Sequence, residues 1–313
     1  MFKINSNFIN IKTIRYYSNT VKINNKLCPY WITGFADAES SFSVRIMKNK
    51  ERKVGWRVLP IFSIELHKRD VLLLKQVQTF FDVGNIYERR SNVVYSVQSF
   101  NDLSEVIIPH FNKYPLLTQK QSDFLLFKLI VNLLNNKSQS YYEGLQEIIN
   151  IRASMNKGLS KKLLESFPNT IPLSRPTINS DKILHPNWLV GFVDGEGCFY
   201  IKPKKLGFSV NISISQHSRD DSLLNVIMNY LDCGVIERPS TRPNVVNFVV
   251  YKFDDICEKV IPFFKNYPLQ GIKYLDYVDF CKVVNLLNNK SQLTLKELEQ
   301  IRRIKLGMNK GRI

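Results

Sequence analysis

The sequence predicts an α+β fold made by tandem duplication of one αββαββα unit, with an antiparallel sheet in each copy and a pseudo-two-fold axis relating them. Three observations lead there. Long stretches of the chain occur twice in the same order, strand-like stretches alternate apolar and polar residues with period two, and each strand pair is flanked by helical segments.

The repeat begins with Trp31-Ile32-Thr33-Gly34-Phe35-Ala36-Asp37-Ala38-Glu39, which returns 157 positions later as Trp188-Leu189-Val190-Gly191-Phe192-Val193-Asp194-Gly195-Glu196. His67-Lys68-Arg69-Asp70 returns as His217-Ser218-Arg219-Asp220, and Gly84 as Gly234. Tyr114-Pro115-Leu116 returns as Tyr267-Pro268-Leu269, and VNLLNNKSQ stands unchanged at both 131–139 and 284–292. Met155-Asn156-Lys157-Gly158 closes the first copy as Met308-Asn309-Lys310-Gly311 closes the second. Drifting offsets imply small loop changes between copies of one unit.

Each copy reads in the same order. A short apolar helix ends at the acidic motif. The first strand then places Phe42, Val44 and Ile46 inward, and its counterpart does so with Phe199 and Ile201. The next strand of the second copy turns Val210, Ile212 and Ile214 inward and Ser209, Asn211, Ser213 and Ser215 outward. Asp70 and Asp220 are expected to cap the following helices, which carry Leu72, Leu73 and Val77, or Leu223, Leu224 and Ile227. A second hairpin runs through Val93 to Val97 and Val245 to Val250. Closing helices start at expected capping boxes, Ser140…Glu143 and Thr294…Glu297. The copies span 27–158 and 187–313. The stretch 159–186, with Pro168, Pro172, Pro176 and Pro186, reads as an extended linker.

Composition narrows the function. The chain has 313 residues, 44% hydrophobic and 23% charged, enough for a real core and against wholesale disorder. No apolar run reaches the ~18 residues of a membrane span. Lys and Arg number 44 against 27 Asp and Glu, a net charge of +17, so a polyanion is the expected partner. The five cysteines are an odd count with no Cys-x-x-Cys, which disfavours a disulfide scaffold or a zinc knuckle and suits a reducing compartment. Residues 1–26 hold Lys3, Lys12, Arg15, Lys22 and Lys26 and no acid, the composition of a mitochondrial transit segment; a disordered basic arm is the other reading.

The outward strand positions are polar or basic: Ser41, Ser43, Arg45, Lys48 and Arg57 in the first copy, Tyr200, Lys202, Lys204, Ser213 and Ser215 in the second. The loop after the first strand pair adds Arg89 and Arg90, and its counterpart adds Arg238 and Arg242. A curved antiparallel ribbon of this kind fits the major groove of duplex DNA, whereas RNA's major groove is too narrow for it. Two such sheets side by side suit a long, pseudo-palindromic site.

Gly34 and Ala38 are four apart, as are Gly191 and Gly195, so each pair lies on one helical face and lets two helices approach backbone to backbone. Glu39 and Glu196 directly follow that seam. Two adjacent carboxylates at helix C-termini repel each other and oppose the helix dipoles, an arrangement a divalent cation would relieve. Mg²⁺ suits oxygen donors and phosphate, which points to metal-assisted phosphodiester hydrolysis with one Glu per strand. Asp37 and Asp194 point elsewhere and are expected to serve structure.

TGFADAES and VGFVDGEG resemble the two signature helices of the LAGLIDADG homing endonucleases, in the single-chain, two-motif form common in fungal mitochondrial introns. The similarity runs from about Tyr30 to the C-terminus. It implies two saddle-like sheets packed through the LAGLIDADG helices, a monomer, and cleavage of double-stranded DNA that promotes intron mobility. It implies metal coordination by Glu39 and Glu196, with Mg²⁺ or Mn²⁺ supporting cleavage and Ca²⁺ binding without it. Lys120 and Lys273 match the family's lysine near the scissile phosphates, and Gln216 matches a polar residue that holds active-site water. Leu66, in Gln216's place, and Ser40, where Gly is usual, depart from the pattern in the first copy. That leaves a second reading, an intron RNA maturase of the same fold.

Overall fold

A proline in the first turn starts the helix of each acidic motif, where its missing N–H costs nothing and its fixed φ suits the helix. In the computed structural model, which describes residues 27–178, 184–205, 207–288 and 293–312, α1 (Pro29–Glu39) leads into β1 (Ser40–Lys48) and β2 (Trp56–His67). There follow α2 (Val71–Phe81), β3 (Asn85–Glu88), β4 (Asn92–Val97), α3 (Ile108–Lys113), α4 (Lys120–Asn135) and α5 (Tyr142–Ala153). The basic stretch 1–26 lies outside the described residues. The 159–186 stretch opens with α6 (Lys161–Ser166), and Phe167 buries against Trp56, Leu145 and Ile149.

The second copy repeats the order as α7 (Pro186–Glu196), β5 (Gly197–Lys204), β6 (Gly207–His217), α8 (Asp221–Leu231), β7 (Val235–Glu237), β8 (Val245–Val250), α9 (Ile261–Asn266), α10 (Lys273–Asn288) and α11 (Leu295–Leu306). Each copy forms one four-stranded antiparallel sheet, ordered β1-β2-β4-β3 and β5-β6-β8-β7. The register pairs Ser40 with Ile64 and, equivalently, Gly197 with Ile214. Helices cover one face of each sheet. Phe42 packs on Phe62, Phe111, Phe124 and Phe127, and Phe199 on Phe264, Tyr277 and Phe280. The opposite faces keep the polar side chains.

Three local expectations are corrected. Lys48 shares strand parity with Phe42, Val44 and Ile46, so it lies on the helix-covered side, its ammonium 5.7 Å from the Trp56 ring centre. Asp70 and Asp220 make no side-chain cap on the helices that follow them. The local caps are His67 and His217, whose Nδ1 atoms accept from the Arg69 and Arg219 amides. Ser140 is taken up by the short turn Ser138–Ser140, so Tyr141 precedes α5 without a side-chain cap, whereas Thr294 and Glu297 do form a capping box.

The two copies meet through α1 and α7. A Cβ on Gly34 would stand 1.9 Å from the Trp188 carbonyl oxygen, and one on Gly191 would stand 2.1 Å from that of Trp31. Only glycine allows this approach. One apolar cluster then runs continuously from Trp31, Phe35 and Phe62 through Trp188 and Phe192 to Phe248.

Candidate active site

Glu39 and Glu196 are the last residues of α1 and α7, so the seam that joins the copies also delivers both carboxylates to one place. They are close: a Cβ on Gly195 would lie 3.2 Å from Glu39 Oε1. Both carboxyls are half-buried, and burial holds both pKa values above the ordinary range. The charge of Glu196 raises Glu39 further, while Lys273 and Lys120 pull it back. Glu196 also has a hydrogen bond from the Gln216 side chain, which opposes the rise. Leu66 offers Glu39 no such bond, so the two centres differ.

Lys120 and Lys273 open α4 and α10 and reach the C-terminal turns of the motif helices. Lys120 Nζ donates to the Ala36 and Ala38 carbonyls at 2.9 and 3.3 Å, and Lys273 Nζ to those of Val193 and Gly195 at 2.9 and 2.6 Å. An ammonium there bonds the last carbonyls of the helix, of which Ala36 and Val193 also accept from the Ser40 and Gly197 amides, and complements the negative end of the helix dipole. Burial lowers both lysines' pKa values, and the surrounding carboxylates counteract it.

Asp37 and Asp194 are buried struts. Asp37 accepts from the Leu117 amide at 2.8 Å, the Thr118 amide at 3.1 Å and the Thr118 hydroxyl at 2.6 Å; Asp194 accepts from the Gln270 and Gly271 amides at 2.9 and 3.1 Å. These bonds hold the loops that deliver the lysines. Each aspartate also receives an indole from the other copy: Trp188 Nε1 lies 2.8 Å from Asp37, and Trp31 Nε1 lies 2.8 Å from Asp194. Burial pushes the Asp194 pKa up to about 6. The tryptophans were missed in the sequence as polar partners; their recurrence at the head of both motifs was the available signal.

Ser40 and Gly197 are the same position in different company. Ser40 Oγ donates to the Ala36 carbonyl at 2.7 Å, whereas at Gly197 a Cβ would meet Val193 Cγ1 at 2.5 Å. Small Ala36 accompanies the serine; over Val193 a Cβ would crowd both the larger side chain and, at 2.8 Å, its carbonyl oxygen, and glycine stands there.

The expected groove contacts fall on the open faces: Ser41, Ser43, Arg45 and Arg57 in the first sheet, Tyr200, Lys202, Lys204, Ser213 and Ser215 in the second. Arg89 is held by Glu65 at 3.3 Å and Arg238 by Asp221 at 2.8 Å, all partly exposed pairs. Arg90 and Arg242 lie in the exposed loops between β3 and β4 and between β7 and β8, so these loops are the turns of the second hairpins and do not follow directly on the first strand pairs as expected. Among the described residues, no helix is long and apolar enough to cross a membrane, and no three His, Cys, Asp or Glu residues converge to hold a metal.

The LAGLIDADG endonuclease family model matches residues 32–131 and 189–284, covering both motif helices and both sheets. The chain belongs to the LAGLIDADG endonuclease family. It is 42% identical over 292 residues to probable intron-encoded endonuclease 2 of Neurospora crassa, across 89% of this chain, and 39% identical over 300 residues to probable intron-encoded endonuclease 3 of the same fungus, across 93%. This LAGLIDADG chain spans 64% and 55% of the length of those two relatives. Among solved structures, it resembles the I-SmaMI LAGLIDADG homing endonuclease bound to cleaved DNA, with a TM-score of 0.89 and 42% identity over 93% of this chain and 99% of that one. I-SmaMI bound to an uncleaved target in the presence of calcium ions gives a TM-score of 0.87 at 41% identity, over 91% of this chain and 99% of that one.

Proposed function

We propose that this LAGLIDADG protein is a site-specific homing endonuclease that cuts both strands of a long, pseudo-palindromic DNA target and promotes mobility of its intron, acting as a monomer in mitochondria. The observation that carries the reading is the pair Glu39 and Glu196 at the shared end of α1 and α7, each with a lysine anchored beside it. The relatives' names and the DNA-bound neighbours support it.

The donor set fits a hard divalent cation. It offers two oxygen donors, carboxylates whose charged forms burial disfavours, with the charge of Glu196 adding to the effect on Glu39. Fewer than three protein acids suits an open site whose remaining ligands are water and phosphate, as for Mg²⁺ or Mn²⁺, with Ca²⁺ binding unproductively. Glu39 and Glu196 would hold the ions, one for each strand. A bound divalent ion supplies an acidified water and offsets charge on the leaving oxygen. Lys120 and Lys273, held on the motif carbonyls, place a positive charge beside each scissile phosphate. Gln216 orients Glu196 and a water next to it. The open-face side chains Ser41, Ser43, Arg45, Arg57, Tyr200, Lys202, Lys204, Ser213 and Ser215 read the major groove, and Arg89, Arg90, Arg238 and Arg242 contact phosphates after leaving their weak surface pairs. No feature of the sheets favours intron RNA over duplex DNA.

The test is cleavage selection on a randomised target library with Mg²⁺, followed by the same assay with Glu39→Gln and Glu196→Gln. Metal-dependent double-strand cleavage lost in both variants is expected. A chain that cuts no member of the library, or variants that cut normally, would refute the reading.

A further inference from the structure

Asp220 reaches out of its own copy. It is 4% exposed, and its Oδ1 accepts from the Gln119 amide at 2.7 Å, in the first copy and directly before Lys120. Gln119 itself supplies no side-chain cap to α4, and the Asp123 carboxylate of the first turn is spent on the Asn156 amide and Arg175. The Lys120 amide is held by Thr118 Oγ1 at 3.2 Å, and that hydroxyl is fixed by Asp37. The mirror arrangement is looser. Asp70 Oδ1 lies 3.4 Å from the Ile272 amide, directly before Lys273, and Gly271 stands where the first copy has Thr118.

We propose that Asp220 is a positioning residue for Lys120: the second copy sets the lysine of the first, by a charge-assisted bond at the positive end of α4, and does so more firmly than Asp70 sets Lys273. The proposal rests on the nuclease reading above. It predicts that loss of Asp220 slows the strand served by Lys120 and spares the other, because the bond touches only one of the two lysine helices.

The test uses the full chain carrying Asp220→Ala, Asp220→Asn or Gln119→Pro. Gln119 has φ of −60°, which suits proline, so that variant deletes the same bond from the donor side and serves even where Asp220→Ala does not fold. Amide hydrogen exchange on metal-free protein is expected to show Gln119 deprotected about tenfold or more in Asp220→Ala and within about threefold of wild type in Asp220→Asn, which keeps an acceptor oxygen. Single-turnover cleavage, resolved by strand, is expected to fall about tenfold on one strand and less than about twofold on the other in Asp220→Ala and Gln119→Pro, with unchanged DNA affinity and with Asp220→Asn, which keeps the acceptor but not the charge, between Asp220→Ala and wild type. Equal slowing of both strands, unchanged exchange at Gln119 in Asp220→Ala, or an Asn variant as slow as the Ala variant overturns the assignment. A wild-type chain that cuts neither strand refutes the nuclease reading instead.

Discussion

Gly197→Ser is expected to destabilise the protein, and adding Val193→Ala is expected to recover the part of the loss that comes from the Val193 side chain. The first copy already carries the compensated pair, Ser40 over Ala36, with the serine hydroxyl 2.7 Å from the Ala36 carbonyl. In the second copy the new Cβ would stand 2.5 Å from Val193 Cγ1, about 1 Å inside the ~3.5 Å at which carbon contacts become favourable, and 2.8 Å from the Val193 carbonyl oxygen, which only a small backbone shift relieves. Val193 is 1% exposed and, being β-branched in a helix, has essentially one rotamer, so the overlap costs about 1–3 kcal/mol. Val193→Ala alone removes two buried carbons at about 0.8 kcal/mol each and leaves a small cavity, for about 2 kcal/mol in all. Together the serine fills the vacated space and gains an acceptor, so the double variant should be better than the sum of the singles by about 1–3 kcal/mol. Urea unfolding followed by tryptophan fluorescence reads this well, since Trp31 and Trp188 are buried at the seam. Additivity within about 0.5 kcal/mol, or a neutral Gly197→Ser, would refute the steric account.

Gly34→Ala and Gly191→Ala each drive a Cβ to about 2 Å from a backbone carbonyl that no rotamer can relieve, and calorimetry should show melting lowered by about 5–10 °C or no folded protein at all; a shift under about 2 °C would contradict the seam geometry. Glu39 and Glu196 have pKa values raised by folding, so as carboxylates they cost stability at neutral pH, and that cost disappears as pH falls through their folded values toward the ordinary 4.5. Metal-free Glu196→Gln should therefore melt higher than wild type at pH 7.5, with the gap closing by pH 4.5; a gap that is constant across this range would sink the idea. Gln216→Leu copies the first copy's Leu66 and removes the bond that lowers the Glu196 pKa, so the acidic limb of the pH–rate profile should move to higher pH for one strand only, as strand-resolved cleavage would record.

What could be read from the sequence was whatever is encoded locally. Alternation with period two placed Phe42 and Phe199 inward and Ser41 and Tyr200 outward without knowledge of the partner strands. The four-residue spacing of Gly34 and Ala38 announced a close helix contact, and from that contact the meeting of Glu39 and Glu196 followed. Features that join distant parts of the chain were hidden. Trp31 and Trp188 sit in apolar helices and read as core; that each indole donates to an aspartate across the axis depends on how the helices cross. Asp70 and Asp220 have the look of local caps, yet the histidines three residues earlier take that role and free the aspartates to reach across. Lys120 and Lys273 begin helices, where lysines are usually solvated, but both turn inward onto motif carbonyls. The positive charge of Arg89 and Arg238 was plain; their pairing with Glu65 and Asp221 was not.

Comparing the copies with each other shows which interactions are free to drift. Most groups whose contacts cross the axis are the same in both: Gly34 and Gly191, Trp31 and Trp188, Asp37 and Asp194, Asp70 and Asp220. Positions answered within one copy differ: Ala36 with Ser40 against Val193 with Gly197, and Leu66 against Gln216. The physical reason is the number of partners that must change together. A crossing tryptophan that loses its aspartate leaves a buried N–H unsatisfied, at about 1–3 kcal/mol, unless the other copy changes too. A change inside one copy needs only its neighbour to yield, as Ala36 does for Ser40. Ala38 and Gly195 are the exception at the seam itself, a crossing contact whose two sides differ. A Cβ on Gly195 would lie 2.3 Å from that of Ala38, so one copy can carry alanine only because its twin carries glycine. The two centres can therefore diverge in chemistry, with Gln216 on one side only, while the frame that brings them together stays symmetric.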